Sequence, residues 1–246
     1  MRPYSEQPPA PELRDTVECF WSHESGDVAT NHRVLPDGCV DLLVSNSDGR
    51  LHAYVIGSMS TFKDVPIPPH TLTAGIRFLP GQASRHLRMP LHPFCDDRVD
   101  LEALFGSRSK AWMDAVLSGE LRHVWNEMVH LVGPAHEASP IEQAAALAAD
   151  QTGITLEALQ RSVWLSERQF RRRFQEQAGI GPKQFLRVMR MRRALSALRH
   201  QPCGRSSRIT LANFAQDFGF YDQAHCANEF RSLTGHSPSH WILQHS

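Results

Sequence analysis

The chain has 246 residues, room for one large or two ordinary domains, and its 26 lysines and arginines balance its 26 aspartates and glutamates. No run approaches the roughly 18 apolar residues of a membrane span, and the first residues, Met1-Arg2-Pro3-Tyr4-Ser5-Glu6, hold no apolar signal core, so a cytoplasmic protein is expected. Five cysteines (Cys19, Cys39, Cys95, Cys203, Cys226) without a Cys-x-x-Cys indicate neither a disulfide framework nor a zinc knuckle.

The zero net charge hides a segregation. From Ile154 onward there are 14 basic and 6 acidic residues, a net of +8, leaving 12 basic and 20 acidic residues, a net of −8, in the first 153. A basic half joined to an acidic half suggests a polyanion-binding module carried by a domain with another task.

Residues 1–12 are Pro-rich and read as extended. From about 13 to 80 the apolar runs are short and broken by turn signals: Cys39–Val44 between Asp37-Gly38 and Asn46-Ser47-Asp48-Gly49, then Leu51–Ile56, then Leu72–Leu79 closed by Pro80-Gly81. This pattern predicts a small β-sandwich or barrel. Asp41, in a strand with Cys39 and Leu43 on its face, and Arg77, between Ile76 and Phe78, are candidate ligand-pocket residues; a buried pair of the two is the plainer alternative. Pro36-Asp37-Gly38 reads as a hairpin turn. His86, His92 and Cys95 form the only local grouping of metal-ligand types, short of a convincing site, so no metal and no cofactor are expected. From about 99 to 132 the pattern turns helical, with a Trp/Leu/Met stripe at Trp112, Val116, Trp125 and Met128. That stripe either covers the barrel or forms a homodimer face.

Gly133–Pro140 reads as a linker, and everything beyond it reads as helical. Thr155 can cap a short helix, and Ser166 can cap the next, Glu-Arg-Gln-Phe-Arg-Arg-Arg-Phe, which Gly179 ends. At about 100° per residue, Arg168, Arg171 and Arg172 share one face of that helix with Gln175, while Phe170 and Phe174 point the other way. Guanidinium forks suit phosphates and the O6/N7 edge of guanine. Pro182 can open a helix running to about Arg199.

The basic half contains a weak repeat. Ile154–Gly179 and Ile209–Gly235 each begin Ile-Thr-Leu, continue with a short helix and a turn, and resume at a polar cap, Ser166 or Asp222. This predicts two helix-turn-helix units, at 155–179 and 210–235, joined by the helix at 182–199. A connector of that length spans about 27 Å. It could hold two reading helices roughly 34 Å apart, one turn of B-DNA.

The segment from about 139 to 246 resembles the C-terminal domain of AraC/XylS-type transcription regulators. The matching residues are Leu211, Phe214-Ala215, Phe218-Gly219-Phe220, Asp222-Gln223, Phe230-Arg231, Leu233-Thr234-Gly235 and Ser237-Pro238, with Arg190-Met191 and Ala194 in the central helix. Residues from about 12 to 106 resemble a β-rich domain of poorly defined function at the N-terminus of some of these regulators, through Val34–Leu42, Ile56-Gly57 and Gly75–Gly81. The resemblance implies a cupin-like α+β chain of two domains, 1–132 and 141–246, and a bacterial activator that binds double-stranded DNA and recruits RNA polymerase, with a small-molecule effector and a homodimer among its candidate partners. The chain departs from the family at Gln160, usually a small residue, at Trp164, often Gly, at Cys226, commonly aromatic, and at Asn228, commonly Arg. Trp164 is expected to cover the first unit's core or to let that unit open.

Aligning the two units puts Ala224, Ala227 and Asn228 opposite Arg168, Arg171 and Arg172. Candidate base contacts are thus Arg168, Arg171, Arg172 and Gln175 in the first reader. In the second they are Gln223 and Asn228 for adenine, and Ala224 and Ala227 for a thymine methyl. Lys183, Arg192, Arg193, Arg199, Arg205, Arg208 and Arg231 are candidate phosphate contacts, and Arg190 is expected to brace the units through an acidic partner. Two other readings stand beside this one: a protein-binding regulator with weakened DNA binding, and a DNA-repair enzyme. Against the second, the chain lacks clustered cysteines and a Pro-Cys-His nucleophile, since Pro202-Cys203 is followed by Gly204.

Overall fold

The computed structural model describes residues 4–117, 120–199, 211–238 and 240–241. In chain order the strands are β1 (Ser5–Gln7), β2 (Val17–Glu24), β3 (Thr30–Val34), β4 (Val40–Ser47), β5 (Arg50–Ile56), β6 (Lys63–Ile67), β7 (Thr71–Phe78) and β8 (Arg98–Asp100). A short helix α1 (Ser84–Leu87) follows β7, and α2 (Leu101–Phe105), α3 (Arg108–Leu117) and α4 (Leu121–Val132) follow β8. Then come α5 (Pro140–Asp150), α6 (Leu156–Arg161), α7 (Glu167–Ala178), α8 (Pro182–Arg199), α9 (Leu211–Asp217) and α10 (Gln223–Thr234).

An antiparallel sheet in the order β1-β2-β7-β4-β5-β8 forms the N-terminal half, with a separate β3-β6 ribbon. Period-2 alternation decides its faces. Val40, Leu42 and Val44, with Val55, Ala74, Ile76 and Phe78, point into the core, where α3 and α4 cover them with Trp112, Val116, Val124, Trp125, Met128 and Leu131. The Trp/Leu/Met stripe is therefore spent on this core and offers no free dimer face. The segment before residue 12, read as merely extended, contributes β1 by pairing with β2. Pro36-Asp37-Gly38 is not a hairpin turn: β3 and β4 belong to different sheets, and the segment carries the chain between them.

The C-terminal half is helical around a second core containing Phe170, Phe174, Phe185, Val188, Met191, Phe214, Phe220 and Phe230. Its helices start at capping signals. Ser139 and Ser166 each form a capping box, with Glu142 and Gln169, and Thr155 and Asp222 accept from the Ala158 and His225 amides. Gly179 ends α7 at φ +84°, a left-handed conformation that favours glycine.

Candidate nucleic-acid interface

Arg168, Arg171, Arg172 and Gln175 are exposed along α7, while Phe170 and Phe174 are buried beneath them. The α7 arginines are not locked in the fold. Arg171 pairs with Glu167 at 2.7 Å and Arg172 with Glu176 at 3.8 Å, both surface i,i+4 contacts. Such exposed pairs contribute about 0.3–0.5 kcal/mol, against about 1–3 for a bidentate base contact, so a duplex can take these side chains over. A groove between α7 and α8 brings Arg171 and Gln175 together with Lys183, Gln184 and Arg187.

On α10, Gln223, Ala224 and Asn228 are exposed and Ala227 is half-buried. One helical turn away, the same helix buries Glu229 against α8. Arg187 Nε donates to Glu229 Oε1 at 2.9 Å, Arg190 Nε stands 3.7 Å from Oε2, and His225 Nε2 lies 3.2 Å from Oε1. Arg190 also donates to the Gly219 carbonyl at 2.7 Å, in the turn before α10. Arg190 thus braces the second unit to the central helix. Glu229 is the partner that sequence reasoning missed, 42 residues from Arg187, and no local pattern marks it.

The candidate phosphate contacts separate. Lys183, Arg199 and Arg231 are exposed. Arg192 is not available: it is half-buried and pairs with Glu18, with its Nη1 3.3 Å from both the Asp37 carbonyl and Cys39 Sγ. Arg193 is likewise turned inward, donating to the Ala148 and Ala149 carbonyls at the end of α5, where a cation favours the helix terminus. Arg205 and Arg208 lie outside the described residues. Trp164 covers no core, because its side chain stands fully in solvent.

Asp41 and Arg77 satisfy one another. They are register partners of β4 and β7, on the sheet face opposite the Val40-Leu42-Val44 row, with Arg77 Nε donating to Asp41 Oδ1 at 3.1 Å and Trp21 Nε1 donating to the same oxygen at 2.9 Å. Burial raises the Asp41 carboxyl, and Arg77 opposes that rise. The two thus form the mutual pair that is the plainer alternative.

The N-terminal half touches α7, α8 and α10 through one short segment. Ser58 Oγ donates to the Ala178 carbonyl of α7 at 2.8 Å, Gln184 of α8 donates to the Ser60 carbonyl at 2.7 Å, and Thr61 Oγ1 donates to the Ser232 carbonyl of α10 at 2.8 Å. Arg33, held by Asp64 in a two-point pair at 2.7 Å, contacts His236 at 3.0 Å just beyond α10.

Comparison with known proteins fits this arrangement. Residues 159–244 match the AraC-type family model described as "Helix-turn-helix domain". This C-terminal segment is an AraC-type helix-turn-helix domain, which supports a DNA-binding transcription regulator. Residues 5–100 of the regulator match a "Domain of unknown function (DUF6597)". No curated protein matches it in sequence. Among solved structures, it is similar to ToxT from Vibrio cholerae O395 at 10% identity and a TM-score of 0.44, over 92% of this chain and 98% of that one. The ToxT structure bound to (E)-4-(8-methylnaphthalen-1-yl)but-3-enoic acid matches at 9% identity and a TM-score of 0.41, over 99% and 98%. Unsaturated fatty acid bound wild-type ToxT from Vibrio cholerae strain SCE256 matches at 10% identity and a TM-score of 0.38, over 91% and 93%.

Two further features of the regulator bear on chemistry. Burial pushes the Cys19 thiol up to about 12 and those of Cys95 and Cys226 to about 11, and it holds Cys39 well above the usual range. These four are protonated thiols rather than reactive thiolates. Among the described residues, no group of three or more His, Cys, Asp or Glu could hold a metal ion, and no helix is long and apolar enough to cross a membrane.

Proposed function

We propose that the regulator reads two successive major grooves on one face of a duplex, with α7 and α10 as recognition helices and α7 supplying the larger share of affinity. The observation that carries this reading is the exposed row Arg168, Arg171, Arg172 and Gln175 on a helix fixed from behind by Phe170 and Phe174. A second helix of the same design is braced to the same scaffold through Glu229. Its arginines would give α7 guanine edges and phosphates, whereas Gln223 and Asn228 suit adenine. The segment 58–61, which bonds to α7, α8 and α10 at once, is the route by which the N-terminal half would modulate binding.

A duplex titration of the full-length chain at increasing salt tests the reading. Phosphate contacts release counterions, so the logarithm of the affinity should fall linearly with the logarithm of salt, with a slope of about −3.6 to −5.4 for four to six such contacts. A flat response would favour a protein-binding regulator instead, a reading that the uncharged exposed row Gln223, Ala224 and Asn228 on α10 keeps in play.

A further inference from the structure

We infer that Trp164 and Tyr221 form a second, uncharged set of DNA contacts, one aromatic ring at the foot of each recognition helix. Each would pack on the sugar–phosphate backbone beside the groove that its helix enters. This inference rests on the DNA-binding reading above and adds to it two residues that carry no charge.

Among the described residues, these two are the most exposed of the large hydrophobic side chains, at 102% for Trp164 and 91% for Tyr221. Both adjoin the N-terminal cap of a recognition helix, one position out of register with each other. Trp164 stands two residues before Ser166, the cap of α7, and Tyr221 stands one residue before Asp222, the cap of α10. In each turn one apolar residue goes inward and the next outward. Val163 is buried, and a tight contact from the Leu165 amide to its carbonyl at 2.9 Å leaves Trp164 outside. Phe220 is buried, and the Tyr221 amide donates to His225 Nδ1 at 3.1 Å while the phenol ring stands in solvent. The buried neighbours account for the turns, and the outward rings contribute nothing to either core.

Exposed large aromatic surface signals a partner, and the repetition says which kind. A partner engaging the same end of both recognition helices must itself repeat at their spacing. A duplex does so every helical turn, roughly 34 Å. Recognition helices enter the groove by their N-terminal ends, the ends these rings adjoin. The chemistry suits a backbone: an apolar ring face lies on deoxyribose, while the indole N–H or phenol O–H donates to a phosphate oxygen. Beside Trp164 the shallow groove is lined by Glu157, Gln160 and the exposed Arg161, whose cation favours a phosphate there.

Tryptophan emission of the full-length protein provides a direct test, because Trp112, Trp125 and Trp241 are buried and Trp21 is half-buried. Acrylamide quenching of wild type minus that of Trp164→Phe isolates Trp164. Saturating a mixed-sequence duplex of about 30 base pairs at low salt should reduce that component's quenching about threefold or more. Trp164→Ala and Tyr221→Ala should each weaken binding about 5- to 30-fold with the salt slope unchanged, whereas Lys183→Ala should reduce the slope by about one unit. Trp164 equally quenchable in the wild-type complex, or wild-type affinity in the double alanine variant, would overturn the inference and leave DNA binding standing. The quenching arm needs no alanine variant to fold. If the wild-type chain binds no duplex at all, the DNA-binding reading falls, and this inference with it.

Discussion

At the scale of single residues, the two proposed reading helices differ in what their exposed faces can donate. Arg171 offers a planar fork with a fixed charge, and Asn228 a neutral amide. Replacing Arg171 with Ala should weaken duplex binding about 10- to 100-fold, while Asn228→Ala should cost about fivefold or less. Equal losses, or the reverse order, in a binding titration would contradict the proposed asymmetry. The arginine face was legible from spacing alone, since 100° per residue separates Arg168, Arg171 and Arg172 from Phe170 and Phe174. The fates of Arg192 and Arg193 were not, because their partners, Glu18 and the α5 carbonyls, come from distant parts of the chain.

His86 illustrates the same limit. It looked like a spare histidine near Cys95, yet its ring straps the linker to the sheet domain. Nδ1 lies 2.8 Å from the Gly133 carbonyl and Nε2 lies 2.8 Å from Thr16 Oγ1. The Gly133 carbonyl can only accept, so Nδ1 carries a proton, and burial favours the neutral ring over the cation. Burial lowers its pKa below the ordinary 6.5, against a smaller upward pull from the Gly133 hydrogen bond. The unfolded chain therefore takes up this proton first as the pH drops. The stability that neutral His86 contributes is complete above pH 6.5 and is lost as the pH falls through 6.5 toward the lowered value. Thermal melts should show wild type losing stability across that window, and His86→Gln starting lower but falling less steeply. An identical slope in the two proteins would count against a buried neutral imidazole.

At the scale of elements, helix boundaries were legible because caps are local chemistry: Ser166, Thr155, Asp222, Gly179 and Pro182 announce themselves within a few residues. How α10 seats on α8 was not, since it depends on Glu229 meeting Arg187 and Arg190 across the fold. Removing that carboxylate leaves two cations facing a half-buried space. Breaking a fully buried pair costs about 3–5 kcal/mol. Arg187 and Arg190 keep 28% and 24% of their side chains exposed, so Glu229→Gln should cost less, about 2 kcal/mol in a denaturant melt. An unchanged melt would show that the network does not hold the second reader. On the sheet, Asp41 and Arg77 sit on the face that alternation leaves opposite the core, and their cross-strand register makes them partners. Sequence could place both residues in strands but could not supply that register.

At the scale of the whole molecule, the charge split and the internal repeat together pointed to a basic double helix-turn-helix carried by an acidic β-rich half. The docking of the halves had no sequence signal. It is made by short polar contacts from 58–61 to three helices and by Arg33 at the end of α10. The proposed mode has one chain reading two grooves unequally. Selection of bound duplexes from a randomised library by the full-length protein tests it most directly. Two enriched boxes centred about 10 base pairs apart are expected. One should be guanine-bearing and more strongly constrained, and it should fade in Arg171→Ala while the other box persists. A single box, two boxes that respond alike to Arg171→Ala, or no enrichment would contradict the proposed mode.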